Sequence, residues 1–396
     1  MSITDEMTNM VNPYYIAGLQ TQHIMSPTPT CNILSGFLRK KVGAAGNGVK
    51  ITDLIEQGDG RFYRGLDTAE NRRSNEGTVS HYQEWSNLQE DIVIAGTQLQ
   101  EVLGMTTSQV VRSDSTLQAF NREDRLTMIN LGAMRTEQAA VSGMEDVDRT
   151  LWGDFLPGDN ENRMPPTLDQ LFDETGPFHG IGPKDLGEWD PAKQVWAESP
   201  PNTDGSKLRH IPQIFHNNGT KRNVSRDVLL KPNILMMANI SGYWIAPTHP
   251  DLFYTLSREP ISENDRVPLY AGTRWEFKVD CVRYYNSYYY VEQRAPSDRI
   301  RHIHIGMTSG AGGSFFPFAW QAPDTVDLES LLSADDPTPS IPGIPMGNSA
   351  VTWPWFTQEW TRSERYANAI YSELELKYMW LCLYRWKQFE VRDLQA

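Results

Sequence analysis

Between residues 374 and 386 the chain keeps one parity. Leu374, Leu376, Tyr378, Trp380, Cys382, Tyr384 and Trp386 share alternate positions, opposite Glu375, Lys377, Arg385 and Lys387. Successive side chains of a strand point to opposite faces, so the pattern predicts a half-buried strand about 43 Å long at ~3.3 Å per residue. A helical reading of 363–381 stays open beside it. A strand of that length needs a cover of similar length. Leu117, Phe120, Met128, Leu131, Met134, Val141 and Met144 recur at spacings of three, four or seven. They follow an S-x-x-Q capping box at Ser115 and Gln118, with Asp114 adding negative charge at the start. This predicts a helix over 115–144, about 45 Å long at ~1.5 Å per residue. Asp124 and Gln138 interrupt its stripe, and Gly132 and Gly143 weigh against one unbroken rod. A long strand against a long helix makes an elongated α+β domain.

Elsewhere the signals are shorter. Residues 1–40 show no sustained periodicity and read as an extended arm. The stretch 41–90 is polar and dotted with Gly43, Gly46, Gly48, Gly58, Gly60, Gly65 and Gly77. Val49 and Ile51 alternate with Lys50 and Thr52, and 78–85 alternates weakly, which predicts two strands. A polar two-stranded ribbon is marginal alone, so it must lie on its own domain or on a neighbour. Residues 153–220 have the Gly, Pro, Asp and Asn content of loops with short elements. From about 221 the chain reads as strands. Trp275, Phe277, Val279 and Cys281 alternate with Arg274, Glu276, Lys278 and Asp280. Asn286-Ser287 can turn that strand back into Tyr288–Glu292, and Ile300–Ile305 is another. Gly310–Gly313 and the Pro-rich 337–345 are loops.

Composition narrows the function classes. With 36 basic and 50 acidic residues among 396, the net charge is −14. That argues against a generally basic nucleic-acid-binding surface, which needs clustered Lys and Arg. A chain this long buries a core without disulfide or metal staples. Cys31, Cys281 and Cys382 form no C-x-x-C pair and read as free buried thiols in a reducing compartment. No apolar run reaches the ~18 residues of a membrane span, and Met1–Glu6 lacks the basic-then-apolar pattern of a signal peptide. Aromatics are abundant, with 12 Trp, 16 Tyr and 14 Phe, which points to large packing or contact surfaces.

Catalytic motifs are missing. There is no P-loop, no G-x-G-x-x-G after a strand, no H-E-x-x-H and no G-x-S-x-G elbow. His302 and His304 share a strand face and could meet one metal if His249 or Asp251 supplied a third ligand; the other reading is a polar strand face. Glu188 with Asp190, or Asp335 with Asp336, could do acid–base work, but 50 acidic residues make such neighbours common. Arg39-Lys40-Lys41 and Lys221-Arg222 with Arg226 could touch phosphate or serve as solvated faces and salt-bridge partners. Trp353, Trp355, Phe356 and Trp360 could stack a sugar or a base, or be core and subunit contact.

The order of these features resembles a family, the tailed-phage major capsid proteins of the Hong Kong 97-type fold. Tyr63-x-Gly65-x-Asp67, Tyr82-x-x-Trp85 and Ile92-x-Ile94-x-Gly96 with Leu99 look like that family's extended loop running back to the body. The helix at 115–144 then falls where the family has its spine helix. Leu168-Asp169-x-Leu171-Phe172, Gly180-Ile181-Gly182, Trp196 and Pro200 are similar to a recurrent run that follows. Ile245-Ala246-Pro247 with Leu252-Phe253-Tyr254-x-Leu256 looks like the strand and helix that open the axial domain. Tyr270-Ala271-Gly272 and Leu381-Cys382-Leu383-x-Arg385 fit later strands.

The resemblance implies an N-terminal arm over 1–40, an extended β-hairpin loop over 41–90 and a peripheral domain over 91–220 carrying the spine helix. An axial domain over 221–345 and a return to the peripheral domain with a C-terminal tail over 346–396 complete it. It implies a shell protein of a double-stranded DNA bacteriophage that self-assembles as hexamers and pentamers into an icosahedral capsid. No catalytic, cofactor or metal residue is expected, and no membrane. The short arm implies a separate scaffold, with room for portal and decoration proteins. Expected localisation is the virion, after assembly in the bacterial host cytoplasm. Tyr63, Trp85 and Trp360 are the expected intersubunit contacts. The family's occasional Lys–Asn crosslink has no identifiable match beside Lys41 or Lys50. Two rivals remain: a portal or tail component, and an aromatic-rich carbohydrate-active enzyme.

Overall fold

The structure is a computed structural model that describes residues 29–35, 37–42, 48–54, 78–95, 97–98, 122–155, 164–173, 178, 188–190, 195–197, 212–259, 266–270, 278–306, 314–321, 353–357, 361–362 and 369–396. Its helices are α1 (Pro29–Ser35), α2 (Arg122–Leu151), α3 (Leu168–Leu171), α4 (Arg226–Asn239) and α5 (Pro250–Arg258). The first strands are β1 (Arg39–Val42), β2 (Gly48–Leu54), β3 (Thr78–Glu84) and β4 (Ser86–Ala95). Short ones follow: β5 (Glu188–Asp190), β6 (Val195–Ala197), β7 (Gln213–Phe215) and β8 (Arg222–Asn223). Next come β9 (Tyr243–Thr248), β10 (Arg266–Tyr270), β11 (Lys278–Tyr284), β12 (Ser287–Val291), β13 (Ile300–Gly306) and β14 (Phe315–Gln321). The chain closes with β15 (Phe356–Thr357), β16 (Thr361–Arg362), β17 (Ala369–Cys382), β18 (Phe389–Val391) and β19 (Leu394–Gln395). The architecture is α+β.

Strand β17 organises the first sheet. Its 14 residues pair antiparallel with β4 from Ala369↔Ala95 to Tyr378↔Ser86, and with β14 from Phe315↔Cys382 to Ala319↔Tyr378. Parallel β1 extends the sheet beyond β14. The parity argument holds through Cys382: Leu374, Leu376, Tyr378, Trp380 and Cys382 enter one core with Ile92, Ile94, Trp353 and Trp355. The helical reading of 363–381 fails where it can be judged, because 369–381 is strand. Beyond Cys382 the strand stops in a short 3-10 turn at Arg385–Lys387.

Helix α2 covers that face. It has 30 residues, as many as expected, and the end of 115–144 is extended by seven residues to Leu151. The capping box at Ser115 and Gln118 lies outside the described residues. The contact line keeps Leu131 and Met144 of the expected stripe and adds small residues to it. Gly132, Thr136, Ala139, Gly143, Val147 and Leu151 are buried, whereas Met134 is 46% exposed. Small residues bring the helix axis close to the sheet, so the line of closest approach is not the line of largest side chains. Gly143 shows how close. A Cβ there would sit 2.6 Å from Cη2 of Trp355, so the glycine that argued against a continuous rod makes room for an indole.

A second sheet runs β10-β11-β12-β9-β13-β18-β7. The turn between β11 and β12 falls at Tyr285-Asn286, one residue before the expected one, with Tyr285 at φ 54. Strand β13 is buried along its whole length. Its Ile303 and Ile305 join the first core, while Ile300 joins a second core made with Leu229, Met236, Leu252, Leu256, Trp244 and Phe389. A strand between two cores loses the in–out alternation of a half-solvated one.

Two expectations for the chain fail here. Residues 29–35, read as part of an extended arm, form α1 and bury Cys31, Ile33 and Leu34. Seven residues are too few to show a period. From 221 the chain read as strands, yet 226–239 is helical, with Ser225 capping the amide of Val228. Pro232 inside it, usually a helix breaker, hid the signal.

Candidate functional site

The hairpin of β2 and β3 pairs in register from Gly48↔Glu84 to Leu54↔Thr78 and passes through Trp85 into β4. Its root rests on the face of the first sheet away from α2. There Ile51 packs with Phe316, Met379 and Leu381, flanked by Phe37, Val49, Trp85, Phe318 and Leu383. Trp85 stacks on Phe318, ring centroids 5.5 Å apart and planes 18° from parallel. Arg39 lies 4.2 Å from the Phe316 ring and Lys377 5.2 Å from the Trp320 ring. Met379 and Leu381 thus break the polar parity of β17 for a reason: the root crosses the strand there. A fully buried aliphatic side chain contributes about 1.5–3 kcal/mol, so this small cluster fixes the root.

Buried polar groups elsewhere are mostly satisfied. His302 stacks on Phe389 at 3.9 Å, and its Nε2 lies 3.0 Å from the Tyr289 hydroxyl. That hydroxyl accepts from Asn233 Nδ2, and Asn233 Oδ1 accepts from Ser287. His304 meets Ser314 Oγ at 2.7 Å and the Ser241 carbonyl at 3.2 Å. Burial holds His302 down to about 3 and His304 to about 4, so both are neutral at pH 7. The Ser314–His304 pair has the contact of a base and its nucleophile, but both side chains are sealed from solvent. His249 instead caps α5 through the amide of Asp251. Among the described residues no cluster of three His, Cys, Asp or Glu could hold a metal.

Charge is concentrated at two seams. Glu390, fully buried, receives Arg301 at 3.3 Å, Arg392 at 2.5 Å and Arg299 at 3.6 Å, and Arg301 also pairs with Asp169. Arg385 donates to the carbonyls of Gln170, Leu171 and Asp173, so α3 is clamped by the C-terminal segment. The second seam joins α1, α2 and the end of β12. Thr30 donates its amide and hydroxyl to Glu292 Oε2, at 3.2 and 2.7 Å, and the Tyr290 hydroxyl donates to Thr30 Oγ1. Asp148 sits there with Arg294 3.5 Å away. Burial first, and Glu292 second, push Asp148 up to about 8.

The comparisons bear on this arrangement as a whole. No family model matches the chain, and no curated protein matches it. Solved structures do. The chain is similar to the subunit in the capsid asymmetric unit of cyanophage A-1(L), at TM-score 0.55 and 11% identity, covering 94% of this chain and 95% of that one. The chain has the Hong Kong 97-type capsid fold. It is also similar to the capsid of a native GTA particle, at TM-score 0.45, 10% identity and coverage of 95% and 94%. For the capsid of Ralstonia phage GP4 the values are 0.42, 10%, 93% and 92%.

Within the Hong Kong 97-type fold the sequence-predicted residues fall as follows. Trp85 is half-buried at the hairpin root. Tyr63 and Trp360 lie outside the described residues, as do Asp335, Asp336, 310–313 and 337–345. Glu188 and Asp190 lie on β5, paired to β6. Trp353 and Trp355 are buried in the first core, which removes them as a stacking platform for sugar or base. Arg39 and Arg226 lie on the rings of Phe316 and Tyr284, an aromatic role that the basic clusters did not suggest. All three cysteines are free and buried, as expected. No helix among the described residues is long and apolar enough to cross a membrane. The seam acids Asp148 and Glu292 were missed, because nothing in a linear run of charges marks which carboxylates go inside.

Proposed function

We propose that this chain is the major capsid protein of a tailed double-stranded DNA bacteriophage, a structural subunit that assembles as hexamers and pentamers into an icosahedral shell. The observation that carries the reading is the end-to-end likeness to a cyanophage capsid subunit, 94% of one chain on 95% of the other. The hairpin supports it physically. Its root is anchored and the rest is polar, as suits a ribbon that finds its remaining burial on a neighbouring copy.

In this reading the arm, loop, peripheral and axial divisions follow the boundaries 1–40, 41–90, 91–220, 221–345 and 346–396. Tyr63, Trp85 and Trp360 are intersubunit contacts, and the subunit catalyses nothing. Scaffolding, portal and decoration proteins are separate partners. The acidic balance of −14 lets the shell enclose DNA without gripping it. Assembly takes place in the host cytoplasm and the product resides in the virion.

Negative-stain microscopy of the protein, purified and co-expressed with its scaffold, tests this. Uniform closed particles support it; monodisperse particles of 45.1 kDa under both conditions overturn it. Tubes or rings in place of shells favour a tail or portal role.

A further inference from the structure

The seam between α1, α2 and β12 holds a carboxyl that nothing neutralises fully. Asp148 has no exposed side-chain surface, and what offsets its burial is the backbone of Cys31 in α1 together with Arg294. The groups around it come from every element packed there: Cys31 of α1, Glu145 of its own helix, Tyr290 of β12, and Glu292 and Arg294 just beyond that strand. The cation in reach, Arg294, stands 3.5 Å off with its side chain 37% exposed, and its backbone N–H is engaged by Glu292. Glu292 in turn is the carboxylate on which the first turn of α1 docks, through the amide and hydroxyl of Thr30.

Two carboxylates in one dry site beside one half-exposed arginine cannot both be charged cheaply. One must carry a proton. Glu292 accepts hydrogen bonds from the amide and hydroxyl of Thr30 and from the Arg294 amide, which favour its ionised form, whereas Asp148 has fewer, from the Cys31 backbone. The proton therefore belongs on Asp148. We propose that this proton is a latch for α1: while Asp148 keeps it, α1 stays docked on Glu292, and its loss undocks α1 from the end of α2. Helix α1 is the element that yields, because seven residues are too few to hold a helix without tertiary contacts. The latch stands independently of the shell reading, since it concerns the folded subunit alone.

Amide exchange of residues 30–35, followed by mass spectrometry on the purified full-length chain from pH 5 to 9 and corrected for intrinsic rates, reads the latch directly. A single proton lost on opening makes the opening constant rise up to tenfold per pH unit. It should level off near pH 8, where folded Asp148 itself ionises. In Asp148→Asn, which mimics the protonated carboxyl, the constant should be flat. Equal slopes in the two proteins, or a flat profile in the wild type, overturn the proposal. If Asp148→Asn fails to fold, Arg294→Gln still decides the matter. Loss of that cation should move the levelling-off to higher pH, and an unmoved profile counts against the latch.

Discussion

The second sheet and the α1–α2 seam treat buried titratable groups in opposite ways. In the sheet, His302 and His304 are enclosed with partners for a neutral ring: a tyrosine hydroxyl, a serine hydroxyl and a backbone carbonyl. At the seam, Asp148 is enclosed beside a second carboxylate, with the Cys31 backbone and a partly exposed Arg294 as its offsets. Both arrangements keep a group uncharged, but protonation undoes one and deprotonation the other. Acid should therefore attack the molecule through the sheet and alkali through the seam. The Glu390 site is a third solution, a buried charge kept as a charge by three arginines.

The largest effect should come from acid. Folded His302 and His304 lie at about 3 and 4, below the ordinary 6.5. Between those limits the unfolded chain binds more protons, so stability is complete above about pH 6.5 and falls as pH drops. Each histidine contributes up to about 1.4 kcal/mol per pH unit, or roughly 2.7 for the two. Denaturant midpoints from pH 7 to 4.5 measure the slope, and His302→Gln should remove about half of it. An unchanged slope would show that the acid limb arises elsewhere.

Next in size is Glu390→Gln. It leaves Arg301, whose side chain is only 5% exposed, with its remaining partner Asp169 at a largely exposed position. Removing one member of a buried ion pair costs about 3–5 kcal/mol. Urea unfolding at pH 7 should show a loss of that order; a loss below about 1 kcal/mol would mean that the arginines reach water without it.

These sites also show which parts of the fold the sequence could convey. The period-two run in β17, the short strand β13, the β2–β3 ribbon and the length of α2 were legible in the sequence. The contact face of α2 was legible only in part, at Leu131 and Met144. Gly132, Thr136 and Ala139 form its contact line, and small residues carry little hydrophobic signal. Helix α4 was masked by Pro232, and α1 by its brevity. The histidine pair was visible as a shared face; its burial against Phe389, Tyr289 and Trp244 was not. Asp148 and Glu292 are 144 residues apart, and only the packing of three elements makes them neighbours.

The alkaline limb is smaller than the acid one. Asp148 is raised from 3.8 to about 8, so the folded state holds a proton that the unfolded state releases. Stability is then greatest below about pH 3.8 as far as this group is concerned, and falls as pH rises to 8. The slope is up to about 1.4 kcal/mol per unit. Asp148→Asn should flatten the pH 6.5–8 part of the profile and be the more stable protein at pH 9. Calorimetry at pH 6.5, 8 and 9 checks both; a variant less stable at pH 9 would mean that the ionised carboxylate is wanted.

The smallest effect tests whether the seam's behaviour is peculiar to Asp148 or common to the end of α2. Glu90 on β4 shares a hydrogen bond with Asp146 of α2 and lies at about 7, with burial the leading cause and Asp146 next. Arg149, 2.6 Å from Asp146, tempers the pair. Glu90 is also partly open to solvent, so screening should reduce its contribution to a few tenths of a kcal/mol per pH unit, well short of the full one-proton slope. The sign matches that of Asp148: a raised carboxyl stabilises while protonated, and the contribution fades from pH 4.5 to 7. Glu90→Gln keeps a donor toward Asp146 and removes the titration. The expected outcome is a slightly shallower profile between pH 5 and 7 with α1 exchange unaltered, because Glu90 meets Asp146 of α2 and not Glu292. If Glu90→Gln instead flattened α1 exchange as Asp148→Asn should, the proton would belong to a network along α2, and the contrast between the seam and the second sheet would dissolve.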